Sequence, residues 1–172
     1  IARELGMSKK TLYLHITNKD ELILIFTRQF LALEREQARS ITASAANALD
    51  AIIKITLSAQ RKIVDISPQV VRELSRYQPK AWQLVDEFRR EFILTEVRQN
   101  LEQGKAEGIY RADLNAEIIC QIYIHSLPIF SDPAYYGLHQ YSPLELHIEY
   151  IKYHIHGILS EQGRALLQNY EF

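Results

Sequence analysis

Apolar residues recur at intervals of three and four along most of the chain, and the strict alternation of a half-buried strand is nearly absent. Thr17 or Asn18 caps a helix whose positive end favours the carboxylates Asp20 and Glu21. It is expected to run to about Arg39, with Leu22, Phe26, Phe30 and Leu33 on its inward stripe. Asn47 opens a second helix with Leu49, Ile52, Ile53, Thr56 and Ile63 facing in, stopped by Ser67-Pro68. A short helix over 69–77 closes at Pro79, a residue that also suits the first turn of a successor. That successor reads as one long helix, 80–104, carrying Trp82, Val85, Phe88 and Phe92 on a face, with Gly104 and Gly108 punctuating its end. Asp113 or Asn115 caps a helix over 113–130 bearing Ile118, Ile119, Ile122, Tyr123 and Leu127. A loop containing Pro, Tyr and Gly leads to a last helix over 143–160. The predicted fold class is all-α.

The first residues follow a tighter plan. Residues 1–5 read as the tail of a helix stopped by Gly6, and Ser8 caps a short helix over 9–15. Short helix, glycine-containing turn, short helix is the helix-turn-helix arrangement. The first turn of the second helix presents Lys9, Lys10 and Thr11, where a helix in the major groove meets base edges. Tyr13 and His15 flank Leu14 and reach to two sides, as bonding phosphates on both walls of a groove requires. Leu12 and Ile16 are one turn apart and dock the helix on its neighbours. Lys19 adds a phosphate contact at the start of the following helix. Phosphate contacts fix register and base contacts specify sequence.

With these residues in register, IARELGMSKKTLYLHITNKDELI resembles the DNA-binding segment of TetR-family transcriptional regulators, whose pattern is roughly I-A-x-x-x-G-x-S-x-x-T-L-Y-x-H-F-x-x-K-x-x-L. Ile1, Ala2, Gly6, Ser8, Thr11, Leu12, Tyr13, His15, Lys19 and Leu22 fall on the pattern. The resemblance covers residues 1–23 of 172; the later helices resemble the family in number, order and length. It implies DNA contacts from Ser8, Thr11, Tyr13, His15 and Lys19, with bases read from Lys9, Lys10 and Leu14. Ile16 stands where the family usually has an aromatic residue, Lys10 where glycine is common, and Leu14 where Tyr or Trp is frequent. The family's first helix, which packs under the other two, is missing at the front. The implied organisation is a partial helix-turn-helix domain at 1–27 and a helical ligand-binding and dimerisation domain at 28–172.

Along 143–160, Leu144, Ile148, Ile151, Ile155 and Ile158 are spaced four, three, four, three, an a/d seam suited to another helix at a shallow angle. The 113–130 helix is apolar at both Ile118/Ile122 and Ile119/Tyr123, too broad a face for one contact. Two such helices from each of two chains would form a four-helix interface, and the resemblance implies the same homodimer. Two heads related by a two-fold axis match a palindromic site with half-sites about 34 Å or somewhat more apart. The bland reading makes both helices the core of a monomer. The resemblance also implies an unidentified small-molecule effector bound inside the body, for which Tyr77, Trp82, Phe88, Phe92, Tyr123 and His125 are candidate walls. An aromatic stripe at helical spacing serves equally as core.

The charge pattern supports a nucleic-acid end. The chain carries a formal charge of −1, yet residues 1–20 hold Arg3, Lys9, Lys10 and Lys19 against Glu4 and Asp20, a basic end on a mildly acidic body. Cys120 is the single cysteine, with no disulfide partner and no zinc-site companion, which fits a reducing cytoplasm. No apolar run approaches the ~18 residues that suggest a membrane span. Catalytic fingerprints, phosphate loops and Glu-x-x-His pairs are lacking, so no enzyme, metal or cofactor is expected. His147 and His154 stand seven apart with His156 pointing elsewhere, and they read as lining the dimer seam. The expected function is a TetR-like repressor, partnered by double-stranded DNA and by its own copy, released from a palindromic operator by a small molecule. The alternative is a helical-bundle carrier or enzyme that uses the body pocket.

Overall fold

The computed structural model describes residues 17–131 and 140–170. Among them the chain is all-α, comprising α1 (Lys19–Ser44), α2 (Ala48–Asp65), α3 (Pro68–Tyr77), α4 (Pro79–Glu87), a π-helical stretch (Phe88–Ile93), α5 (Leu94–Ala106), α6 (Ala116–Ser126), α7 (Pro128–Ser131), α8 (Pro143–Ile158) and α9 (Glu161–Leu167). The starts lie where short polar side chains can satisfy orphan amides. Asn18 Oδ1 accepts from Glu21 N at 2.9 Å, Asn47 Oδ1 from Asp50 N at 2.9 Å, and Asn115 Oδ1 from Ile118 N at 3.1 Å. Ser142 and Glu145 close a reciprocal capping box on α8.

Four expectations are corrected. The buried residues of α1 are Thr27 and Leu31, while Phe26 and Leu33 are exposed at 66% and 63%, so the inward stripe is rotated from the one expected. The long helix expected over 80–104 is interrupted by the π-helical stretch, which widens the turn that carries Phe88 and Phe92. The helix expected over 113–130 ends at Ser126, because Pro128 cannot supply an amide to continue it, and α7 begins there. Beyond α8 the chain adds α9, whose cap Ser160 accepts from Gly163 N at 3.1 Å.

The core lies where α2, α5, α6 and α8 meet, around Leu49, Ile53, Leu101, Cys120, Ile151 and Ile155. Burial raises the Cys120 thiol pKa, so this side chain acts as a small apolar filler. One end of the bundle is closed by Tyr110, paired antiparallel with Leu159 in an isolated bridge. Arg111 N donates to Ile158 O and Ser160 N to Ile109 O, at 2.9 and 3.0 Å. Tyr110 lies against Gly104, where an added Cβ would sit 2.1 Å from the ring. Its hydroxyl donates to Asn100 Oδ1 at 2.9 Å, and Asn100 Nδ2 donates to Ala48 O at 2.8 Å. Each buried polar group of this knot has a partner.

α1 runs unbroken across position 27, so the division expected there falls inside a helix. Asp20 Oδ1, in its first turn, accepts from Gln78 Nε2 at 2.9 Å and ties that turn to the junction of α3 and α4. No helix among the described residues is long and apolar enough to cross a membrane.

Candidate functional site

A cavity of about 390 Å³ lies between α1, α2, the π-helical stretch, α5, α6 and α8. That volume is in the range of small-molecule pockets. Hydrocarbon makes most of its wall, from Phe30 and Ile41 on α1 through Ile52, Ile55 and Ile63 on α2 to Phe88 and Phe92. The two phenyl rings stand 5.1 Å apart, centroid to centroid, an aromatic contact that the π turn presents to the cavity.

Polar groups of two kinds stand in the wall. Lys62 Nζ donates to the Glu34 carboxylate and to Gln37 Oε1, the latter at 2.9 Å, so α1 and α2 are pinned at this edge. Arg89 lies 3.9 Å from Asp86 and over the Trp82 ring at 5.1 Å. Asn100 is engaged by Tyr110 and Ala48. The other kind is a pair of imidazoles on α8. His147 and His154 are 5% and 8% exposed, and His147 Nδ1 and His154 Nε2 are buried without a hydrogen-bond partner. His147 meets the Phe130 ring edge-on at 5.4 Å, and His154 packs on Tyr123 at 5.2 Å. Burial lowers both imidazole pKa values to about 4, so both are neutral at pH 7. The same burial raises that of the Tyr123 phenol.

The expected pocket residues separate. Phe88, Phe92 and Tyr123 line the cavity. Tyr77 is 64% exposed beside Arg76, Trp82 lies under Arg89, and His125 is exposed; none of these three lines it. His147 and His154, read from sequence as lining a seam between copies, face the cavity instead. Their seven-residue spacing was the available signal, since seven residues are two turns and place both side chains on one face.

The seam expected along 143–160 divides similarly. Ile151, Ile155 and Ile158 are buried within the chain's own core at 1%, 0% and 2% exposure, and Leu144 and Ile148 are half-buried. On α8 the large side chain of Tyr153 is exposed at 79%, and on α6 Ile118 and Ile122 are exposed at 56% and 55%. Of the expected DNA contacts, Ser8, Lys9, Lys10, Thr11, Tyr13, Leu14 and His15 lie outside the described residues. Lys19 is exposed at the first position of α1.

α1 bears both Lys19 and part of the cavity wall. Its first turn carries Lys19, and farther along it lines the cavity with Phe30, Leu31, Glu34, Ala38 and Ile41. It also grips the π-helical stretch from outside. The Arg35 guanidinium lies 5.2 Å from both the Phe88 and Phe92 rings, and that of Arg39 lies 5.6 Å from Phe92. The rings that wall the cavity are therefore also the rings on which α1 rests.

No family model matches the chain. A curated relative, the uncharacterised HTH-type transcriptional regulator YvaF of Bacillus subtilis (strain 168), is 25% identical over 166 residues, spanning 94% of this chain and 85% of the relative. Among solved structures, the ketosteroid transcriptional regulator KstR2 of Mycobacterium tuberculosis is similar in fold. Its TM-score is 0.57 at 21% identity, over 93% of this chain and 83% of that one.

Proposed function

We propose that the chain is a TetR-like DNA-binding transcriptional regulator and not an enzyme: a homodimeric, cytoplasmic repressor released from a palindromic operator by a small molecule held in the cavity. The observation that carries this reading is the continuity of α1, which begins at Lys19, next in sequence to the segment that resembles a helix-turn-helix, and goes on to form a cavity wall. The likeness to an HTH-type regulator over nearly the whole chain supports it, as does the likeness of fold. A ligand that displaces Phe88 or Phe92 disturbs the stack under Arg35 and Arg39 and so biases the set of α1. The ligand then acts by binding one head spacing better than the other. A differential of about 1–3 kcal/mol changes operator affinity roughly 5- to 150-fold. The exposed Ile118, Ile122 and Tyr153 are the surface proposed for the second copy, replacing the buried isoleucines of α8.

The test is fluorescence anisotropy of the full-length protein with DNA from upstream of its own gene, across salt concentration. Sequence-preferring binding with a steep negative salt dependence, weakened by Tyr13→Ala, is the expected result. Binding that is equally weak on all sequences would return the cavity to the carrier or enzyme reading.

A further inference from the structure

We propose that the cavity takes an elongated, uncharged, largely apolar molecule bearing hydrogen-bonding groups at two places roughly 10 Å apart, one read by His147 and the other by His154. This deepens the function proposed above and rests on the cavity being the effector site of that regulator. The fold leaves polar atoms in α8 unspent. A buried polar group without a partner costs about 1–3 kcal/mol, and proteins seldom keep one without a use. Three such atoms stand on one face of α8, His147 Nδ1, Tyr150 Oη and His154 Nε2, and the two imidazoles, each more than nine-tenths buried, are in the wall of a ligand-sized cavity.

Spacing sets the shape of the ligand. Seven residues at 1.5 Å each place the two Cα atoms about 10 Å apart along α8, and both side chains lean the same way, which preserves the separation. Their ring neighbours differ, Phe130 for His147 and Tyr123 for His154, so the imidazoles do not converge on one point. Two groups on the ligand are needed, joined by a body that fits between Phe88, Phe92 and the isoleucines of α2.

Charge sets its class. The charged side chains in the wall are Glu34 and Glu96 against Lys62 and Arg89, no net charge. Both imidazoles are held neutral by burial. A neutral imidazole donates from one nitrogen and accepts at the other, which matches a hydroxyl or a carbonyl. Rotation about the last side-chain bond, a broad and roughly two-fold torsion, exchanges the nitrogen that faces the ligand.

The test uses biphenyl-4,4′-diol, whose oxygens are roughly 10 Å apart, with biphenyl-4-ol and biphenyl-4,4′-dicarboxylate as comparisons. Binding is measured by titration calorimetry on the full-length protein without DNA. The diol is expected to bind about tenfold more tightly than the mono-ol and well ahead of the dicarboxylate. His147→Phe and His154→Phe should each weaken the diol about tenfold, and His147→Asn and His154→Gln should recover part of the loss. Melting curves establish folding, and a Leu variant replaces any Phe variant that does not fold. In ¹⁵N spectra of labelled histidine, both rings should shift with the diol and one with the mono-ol. The proposal is overturned if the dicarboxylate binds best, if the variants bind the diol as the native protein does, or if the diol does not bind. Diol binding as expected without an operator leaves this assignment standing and sinks the regulator; an operator without diol binding does the reverse.

Discussion

The knot around Tyr110 and the cavity wall around His147 bury polar side chains in the same bundle and treat them oppositely. At the knot, the Tyr110 hydroxyl, the Asn100 amide and the Ser160 hydroxyl all have partners, and two glycines admit neighbours at distances that no Cβ would allow. At the wall, two imidazoles of α8 stand in apolar surroundings with nitrogens unpaired, beside space. The first region spends its polar groups on holding the end of the bundle closed. The second leaves them available, and the stability so forgone marks a place kept for something else.

At the knot a single methyl group can break the comparison. An added Cβ at Gly163 would lie 2.1 Å from the Ile109 carbonyl oxygen, which is backbone and cannot swing aside. Gly163→Ala is expected to cost about 3 kcal/mol or more, at or above the usual range for overpacking, read from the midpoint of urea unfolding. A loss below about 1 kcal/mol would mean that the knot is looser than described.

The wall yields the next effect, through pH. Both histidines have folded pKa values near 4, depressed from the ordinary 6.5 by burial. Between those values the unfolded chain binds protons that the folded chain refuses, so stability falls as pH drops from about 6.5 toward 4, by up to about 1.4 kcal/mol per pH unit for each histidine. The His147→Phe/His154→Phe double variant should flatten this limb of the stability curve while matching or slightly exceeding the native protein at pH 7. An unchanged slope would show that the imidazoles are solvated.

The mildest change returns to the knot. Tyr110→Phe leaves Asn100 Oδ1 without its donor and is expected to cost about 1–2 kcal/mol. If His147→Phe at pH 7 cost as much, the contrast between the two regions would dissolve.

Much of the fold was legible because caps and helix breakers are local. Asn18, Asn47 and Asn115 each start a helix where a side-chain oxygen can reach an amide three residues on, which needs no tertiary information. The inward face of α1 was misjudged because periodicity finds a stripe without saying which neighbours arrive to cover it. Thr27 is buried and Phe26 is not, a result decided by the approach of the other helices. The π-helical stretch was not legible in the spacing of Trp82, Val85, Phe88 and Phe92, which continues one helical face into it.

The candidate site was half visible for the same reason. Phe88, Phe92 and Tyr123 were found by their aromatic character, while Tyr77, Trp82 and His125 share that chemistry but lie off the cavity. His147 and His154 are legible in the sequence as a pair two turns apart. Their surroundings, and hence their meaning, depend on α6 and α7 packing against α8.

By itself the sequence determined that the chain is helical, where most helices begin, and that its first residues resemble a DNA-reading head. These follow from interactions within a turn or two of chain, which the order of residues specifies directly. Tertiary structure decided that Ile151, Ile155 and Ile158 of α8 fill the chain's own core, that two histidines face a cavity unpaired, and that α1 forms part of that cavity's wall. Those outcomes depend on which helix faces come together, and facing is set by the packing of the whole bundle.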